Sequence, residues 1–317
     1  MPTLLVLRAL GLGDLLTALP ALRALADAFP GHRRVLATTA GVADLAVHAG
    51  VADEILLSEP LAPLRWDRPA PAVAVNLHGR GPQSHDVLLA TRPGRLVAFA
   101  CGDVPGPRWR PDEHEVHRWC RLLVQSGIAA DPARLGMERP PVPVPAGVGG
   151  STLLHPGAAS PARRWPADRW AAVARAETAA GRAVVVTGGP AEVDLARAVA
   201  DRAGLPPSAV LAGATGVLEL AAVVSGAGRV ICGDTGVAHL ATALGRPSVV
   251  LFGPVPPSQW GPPAGHPSHV ALWAGRTGDP HGLSVDPGLL EISVADVLLA
   301  LDQVARPPSN RGHLASS

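Results

Sequence analysis

Two short apolar runs, Arg229-Val-Ile-Cys232 and Ser248-Val-Val-Leu-Phe252, enclose Val237-Ala-His-Leu-Ala-Thr-Ala-Leu244, a stretch of helical periodicity that Gly245 stops. Runs of that length and β-branching read as buried strands, so the segment predicts strand, helix, strand. Between the first strand and the helix lies Gly233-Asp-Thr-Gly236. In open α/β sheets ligands gather outside the carboxyl ends of strands, where a helix N-terminus offers unpaired N–H donors and the positive end of its dipole. The junction is suited to phosphate. Asp234 and Thr235 are expected to cap the helix, and Gly233 and Gly236 to let the backbone approach a ligand closely.

The same alternation runs along the chain and predicts α/β structure in two halves. In the first half, strands are expected at 4–7, 35–38, 54–57, 72–75 and 96–100, with helices at 15–29, 42–49 and 112–127. The last of these reads as a charged, solvated face: two histidines three apart in Asp112-Glu-His-Glu-Val-His117, among carboxylates, do not make a metal site. Arg139-Pro-Pro-Val-Pro-Val-Pro-Ala-Gly-Val-Gly-Gly150 then breaks every periodicity, as a semi-rigid connector does. The domains are accordingly expected at 1–145 and 146–305, with a disordered tail at 306–317. In the second half, strands are expected at 152–154, 183–187 and 210–211 and helices at 167–180, 191–203 and 216–225, before the unit described first. Beyond Pro262 the pattern weakens until a last helix at 294–304.

At 317 residues and 47% hydrophobic content, the chain can fill two cores. Its formal net charge of +1 argues against a nucleic-acid-coating surface. All the basic residues are Arg, and with 35 Gly and 34 Pro this reads as genomic G+C bias. Cys101, Cys120 and Cys232 are too few and scattered for a disulfide framework or a thiolate metal site. With no leader-like N-terminus and no run of about 18 apolar residues, the chain reads as soluble and cytoplasmic, with at most peripheral contact at the inner face of a membrane.

Further glycine turns follow predicted strands. Gly11-Leu-Gly-Asp-Leu-Leu16 lacks the third glycine of a dinucleotide fingerprint, and no acidic residue follows at the ribose position, which disfavours a nicotinamide enzyme. It places Asp14 at the mouth of the first strand. His155-Pro-Gly-Ala-Ala-Ser-Pro-Ala-Arg-Arg-Trp-Pro166 combines small residues, Ser160 and two arginines able to clamp phosphate oxygens. Thr187-Gly-Gly-Pro190 ends another strand. Three strand ends in the second half thus carry loops fit for a nucleoside diphosphate.

Together, Arg8-Ala-Leu-Gly-Leu-Gly-Asp14 with Thr17-Ala-Leu-Pro-Ala-Leu22, His155-Pro-Gly157, Arg164-Trp-Pro166, Thr187-Gly-Gly-Pro190, Gly233-Asp-Thr-Gly-Val-Ala-His-Leu-Ala241, Leu251-Phe-Gly-Pro254 and Trp260-Gly-Pro262 resemble the heptosyltransferase-like glycosyltransferases of family nine. The resemblance runs from Leu4 to about Trp260. It implies a GT-B architecture, two Rossmann-like domains facing across a cleft, the first for the acceptor and the second for the nucleotide sugar. It further implies an inverting, metal-independent transfer of a heptose or related sugar from a nucleotide-diphosphate donor such as ADP-heptose to a glycan, lipid or small-molecule acceptor, with no resident cofactor.

Carried over by position, the resemblance makes Asp14 the general base and Arg163, where relatives commonly carry Lys, the cation on the leaving diphosphate. Asp234, Thr235, Gly236, Val237 and His239 would line the donor pocket with Ser160, Gly188 and Gly189, and Glu219 would hold the ribose. The loop Asn76-Leu-His-Gly-Arg-Gly-Pro-Gln-Ser-His85 offers His78, Arg80 and Gln83 to the acceptor. Two other classes stay open: a GT-B-like nucleotide-sugar epimerase, and a non-catalytic nucleotide-sugar-binding protein.

Overall fold

A computed structural model describes residues 1–304; the tail expected at 306–317 lies outside them. The chain divides into two units. The first comprises Met1–Pro143 with Thr215–Ala222 and Ser258–Trp260, and the second the remainder.

In the first unit β1 (Thr3–Leu7), β2 (Arg33–Thr38), β3 (Glu54–Leu57), β4 (Val73–Asn76) and β5 (Arg95–Val97) form one sheet in the order β3-β2-β1-β4-β5. Every pairing is parallel. Leu4, Leu5, Val6 and Leu7 are almost wholly buried, as a strand covered on both faces requires. Helix α1 (Leu12–Ala28) buries Leu15, Leu19, Leu22 and Leu25, the stripe expected from their spacing. It starts three residues earlier than expected, so Asp14 stands in its first turn. The same continuous stretch carries helices α2 (Ala40–His48), α3 (Gln83–Leu89) and α4 (Glu115–Gln125).

The second sheet runs β10-β9-β8-β6-β7, again all parallel, from β6 (Thr152–His155), β7 (Val184–Val186), β8 (Arg229–Gly233), β9 (Ser248–Phe252) and β10 (His269–Trp273). The strand expected at 210–211 is reduced to a single parallel bridge from Val210 to Val186. Pro206 and Pro207 lead into it through a 3-10 turn, and proline cannot donate to a ladder. Helices α5 (Ala167–Ala179), α6 (Val193–Ala203), α7 (Val217–Gly226), α8 (Gly236–Ala243), α9 (Pro257–Trp260), α10 (Pro287–Glu291) and α11 (Val294–Val304) follow the expected order where one was expected. Gly245, at φ +63°, takes the left-handed conformation that ends α8. The missed strand β10 is an edge strand, partly exposed along its length; its apolar run Val270-Ala-Leu-Trp273 is short and stands between Pro-, Gly- and His-rich segments that mask the alternation.

In each sheet the strand order reverses at one point, between β1 and β4 in the first and between β6 and β8 in the second. Chain connections leave such a point in opposite directions and open a crevice at the carboxyl ends of the two strands.

Candidate active site

In the first unit the reversal point is built around Arg8, the residue that follows β1. Its side chain is 1% exposed, and its nitrogens reach four partners outside its own strand. Nε donates to the Asp14 carbonyl (3.0 Å) and Nη1 to the Leu77 carbonyl beyond β4. Nη2 is shared by Asp14 Oδ1 (3.2 Å), Thr17 Oγ1 (3.4 Å) and Glu115 Oε1 (3.0 Å). The guanidinium lies 4.8 Å over the Trp119 ring, a favourable seat for a cation.

Asp14 keeps 28% of its side chain exposed. Besides Arg8 it accepts the Gly11 N–H at Oδ2 (3.3 Å). Burial raises its pKa above the usual carboxylate range; Arg8 opposes this, while Glu115 adds to it. Asp14 is thus a stronger base than an ordinary aspartate, a feature that spacing cannot reveal.

Glu115 corrects the reading of 112–127 as a solvated face. It is buried at the start of α4, where it accepts Trp119 Nε1 (2.8 Å) and pairs with Arg118 as well as Arg8. His114 caps the helix, its Nδ1 accepting the Val116 N–H. No three His, Cys, Asp or Glu side chains among the described residues are grouped to hold a metal ion.

The loop after β4 is organised by Asn76, another residue that the sequence reading passed over. Its Oδ1 accepts the His78 N–H (2.9 Å), and its Nδ2 donates to Ser84 Oγ (2.8 Å) and the Gly79 carbonyl (3.2 Å). His78 is half-buried, and burial together with the Arg8 charge pushes its pKa down to about 4, so it is neutral near pH 7. Arg80 and Gln83 are exposed, Gln83 as the first residue of α3.

In the second unit the loop after β6 meets the β8–α8 junction. Arg163 Nη1 donates to the Asp234 carbonyl (3.3 Å) and lies 3.6 Å from its Oδ2. Gly233 permits this closeness: a Cβ there would sit 3.2 Å from the Arg163 carbonyl oxygen. Asp234 is buried, which pushes its pKa up to about 6 against the opposing charge and hydrogen bond of Arg163. The expected caps are corrected: Thr235 is the N-cap residue of α8, but no side chain caps the helix there. The amides of Gly236 and Val237, in the first turn, have no carbonyl four residues back within the helix. His239 lies one turn further along, half-buried.

Three other expected donor contacts are turned inward. The Ser160 hydroxyl donates to the Gly282 carbonyl (3.1 Å) and accepts the Ala162 N–H (3.3 Å), so its one proton is committed. The Gly189 N–H is taken by Glu192 Oε2 (2.7 Å), and Gly188 packs tightly against Glu192 and Ala212. His155 completes this closed loop through Thr187 Oγ1 (3.1 Å). Glu219 is exposed in the first turn of α7, within the stretch that groups with the first unit.

The sequence profile of glycosyltransferase family 9 (heptosyltransferase) matches residues 110–279, more than half of the chain. The chain belongs to glycosyltransferase family 9. Among solved structures it is similar to a family 9 glycosyl transferase from Veillonella parvula, at 19% identity and TM-score 0.76, covering 96% of this chain and 97% of the other. It is also similar to the E. coli ADP-heptose LPS heptosyltransferase II, at 19% identity and TM-score 0.73 with 95% and 98% covered. A third, the E. coli heptosyltransferase WaaC with ADP, matches at 16% identity and TM-score 0.70 with 96% and 100% covered. At these identities the likeness shows the fold, the two-sheet α/β construction of GT-B glycosyltransferases. No curated protein sequence matches the chain. Family 9 membership makes this a glycosyltransferase, and among the described residues no helix is long and apolar enough to cross a membrane.

Proposed function

We propose that the chain moves a sugar, heptose or a close relative, from a nucleotide-diphosphate donor to a hydroxyl of a glycan, lipid or metabolite, with inversion at the anomeric carbon and without a metal or resident cofactor. The acceptor oxygen bonds to the anomeric carbon as the bond to the diphosphate oxygen breaks. The acceptor proton passes to Asp14, and the nucleoside diphosphate leaves. The observation that carries this reading is the Asp14 carboxylate itself: part-exposed beyond β1, at the reversal point of its sheet, with a raised pKa.

The second unit supports the donor side. Arg163 and the uncapped amides of Gly236 and Val237 supply positive charge and N–H donors where negative charge develops on the leaving diphosphate. Asp234, a carboxylate beside an anion site, would repel it. At neutral pH, above its pKa of about 6, Asp234 is mostly ionised, and it is the contact with Arg163 that offsets the repulsion. Glu219 would accept from a ribose hydroxyl, and His78, Arg80 and Gln83 would meet the acceptor. A neighbouring structure that holds ADP, and another named for ADP-heptose, support an adenosine diphosphate sugar as the donor.

Incubating the purified chain with ADP-heptose and candidate acceptors, and following ADP release and product by mass spectrometry, tests the reading. Transfer that Asp14→Asn abolishes supports it. Transfer undiminished in that variant overturns it, and release of an isomerised donor points to an epimerase instead.

A further inference from the structure

The reaction just described gives Arg8 and Glu115 no task, yet they form the densest polar cluster around Asp14. A guanidinium facing one carboxylate normally presents two parallel N–H bonds, with charge-assisted contacts of about 2.7–2.9 Å. Asp14 receives less: one Nη2 contact to its carboxylate at 3.2 Å, while the same nitrogen lies closer, at 3.0 Å, to Glu115. Glu115 is in turn fixed by Arg118 on Oε2 and by the Trp119 indole on Oε1, the oxygen that Arg8 also meets.

We propose that Glu115 is a positioning residue for sugar transfer: by competing with Asp14 for one nitrogen of Arg8, it lets Arg8 orient the Asp14 carboxylate without becoming its full ion-pair partner. The proposal rests on Asp14 being the base. With the Glu115 charge removed, Arg8 turns wholly to Asp14 and a nearby negative field is lost. Both changes weaken Asp14 as a base.

The other charged groups on the packed elements do not duplicate this effect. Arg118 is occupied by Glu115 and by the carbonyls of Arg110, Pro111 and Glu113. His78 is neutral near pH 7, Arg121 is held by Glu113, and His117 and Asp44 face solvent. His48 is bound to the Glu138 carbonyl, and Arg23 and Asp27, further along α1, are engaged with Arg134.

The test is an NMR titration of the full chain labelled with carbonyl-13C aspartate, the Asp14 resonance being assigned by its loss in Asp14→Asn. In Glu115→Gln the Asp14 midpoint is expected to fall by about one pH unit. The acidic limb of the turnover–pH profile with ADP-heptose should fall with it, and ADP affinity should be unchanged. A folded Glu115→Gln protein whose Asp14 midpoint does not move overturns the proposal, even if its Tm is lower, because a merely structural role would show just that. If Glu115→Gln does not fold, Glu115→Asp decides: the shorter arm keeps the charge but retreats from Arg8, so a smaller fall supports the proposal and an unmoved midpoint overturns it. Undiminished transfer by Asp14→Asn would remove the base reading itself. An inactive Asp14→Asn with an unmoved Glu115→Gln midpoint would remove only the positioning role.

Discussion

Each unit buries a glutamate among arginines, and the two clusters end in opposite states. In the second unit Glu177 is 1% exposed and takes Arg182 through both oxygens (2.7 and 2.8 Å), with Arg229 and the Thr152 hydroxyl on Oε2. Burial alone would raise its pKa, but the hydrogen bonds of Arg182 and Thr152 and the charges of Arg229 and Arg182 outweigh it and hold the carboxyl below the usual range. In the first unit one arginine serves two acids, and Asp14 is left part-exposed with a raised pKa. Position explains the contrast. Thr152 and Arg229 are the first residues of β6 and β8, the amino ends of their strands, whereas Arg8 follows the carboxyl end of β1. A closed cluster at an amino end holds the sheet; an under-supplied one at a carboxyl end leaves an acid available for chemistry.

The sharpest way to break this contrast is to remove each acid. Asp14→Asn should lower transfer turnover by about 10²–10⁴, the usual contribution of a positioned base, while urea unfolding changes little. Glu177→Ala should do the reverse: it leaves Arg229 buried without its carboxylate and should destabilise the fold by about 3 kcal/mol, read as a lower urea midpoint. Transfer by the fraction still folded should be normal. If Asp14→Asn unfolds the protein and Glu177→Ala changes only catalysis, the division between the two ends of the strands fails.

Asp234 offers a third kind of acid, buried but held by one arginine at 3.6 Å, and a test with a definite sign. Its folded pKa of about 6 lies above its unfolded value, so the folded state binds the extra proton. Above pH 6 the protein carries the full penalty of the buried charge. That penalty is relieved as pH falls from about 6 to about 4, a gain on the order of 3 kcal/mol. Glu177 has the opposite sign: its contribution is present above its unfolded value and is lost below it, as pH falls through the depressed folded pKa. Over the same range His78 and His269, whose pKa values burial pushes down to about 4, pull the stability of the whole protein the other way. Asp234 is therefore read as a difference: in urea unfolding from pH 7 down to pH 5 the stability of the wild type relative to Asp234→Asn should rise. A difference that stays constant over that range would assign the titration elsewhere.

Much of this was legible in the chain. Strands such as 248–252, buried on both faces, announce themselves as apolar runs, and α11 was placed to the residue. Two kinds of feature were not. Short edge pairings are one: Val270-Ala-Leu-Trp273 of β10 is set between Pro-, Gly- and His-rich segments, and Val210 makes a single bridge after Pro206 and Pro207. Long-range polar pairings leave no local signal either: Glu115 reads as one more charge in a hydrophilic helix until Arg8, 107 positions away, is brought against it. The signal that was present at Arg8 itself, a lone cation between an apolar strand and a glycine turn, marked a buried charge in need of partners. Likewise Ser160 and Gly189 look free in sequence because Gly282 and Glu192, which occupy them, come from the fold.

Glu219 sharpens the comparison from the other side, because it is an acid that no cluster holds inside the fold. It is exposed in the first turn of α7, where the helix dipole favours a negative charge. Glu219→Gln should change stability by less than about 0.5 kcal/mol, as surface substitutions do. If it accepts from the donor ribose, exchanging a charged for a neutral acceptor should cost about 1.5 kcal/mol, or about tenfold in ADP affinity by calorimetry, with turnover at saturating donor little changed. An unaltered ADP affinity would remove Glu219 from the donor site. Its acid would then be a helix-end charge alone, and nucleotide recognition would rest on Arg163 and the first turn of α8.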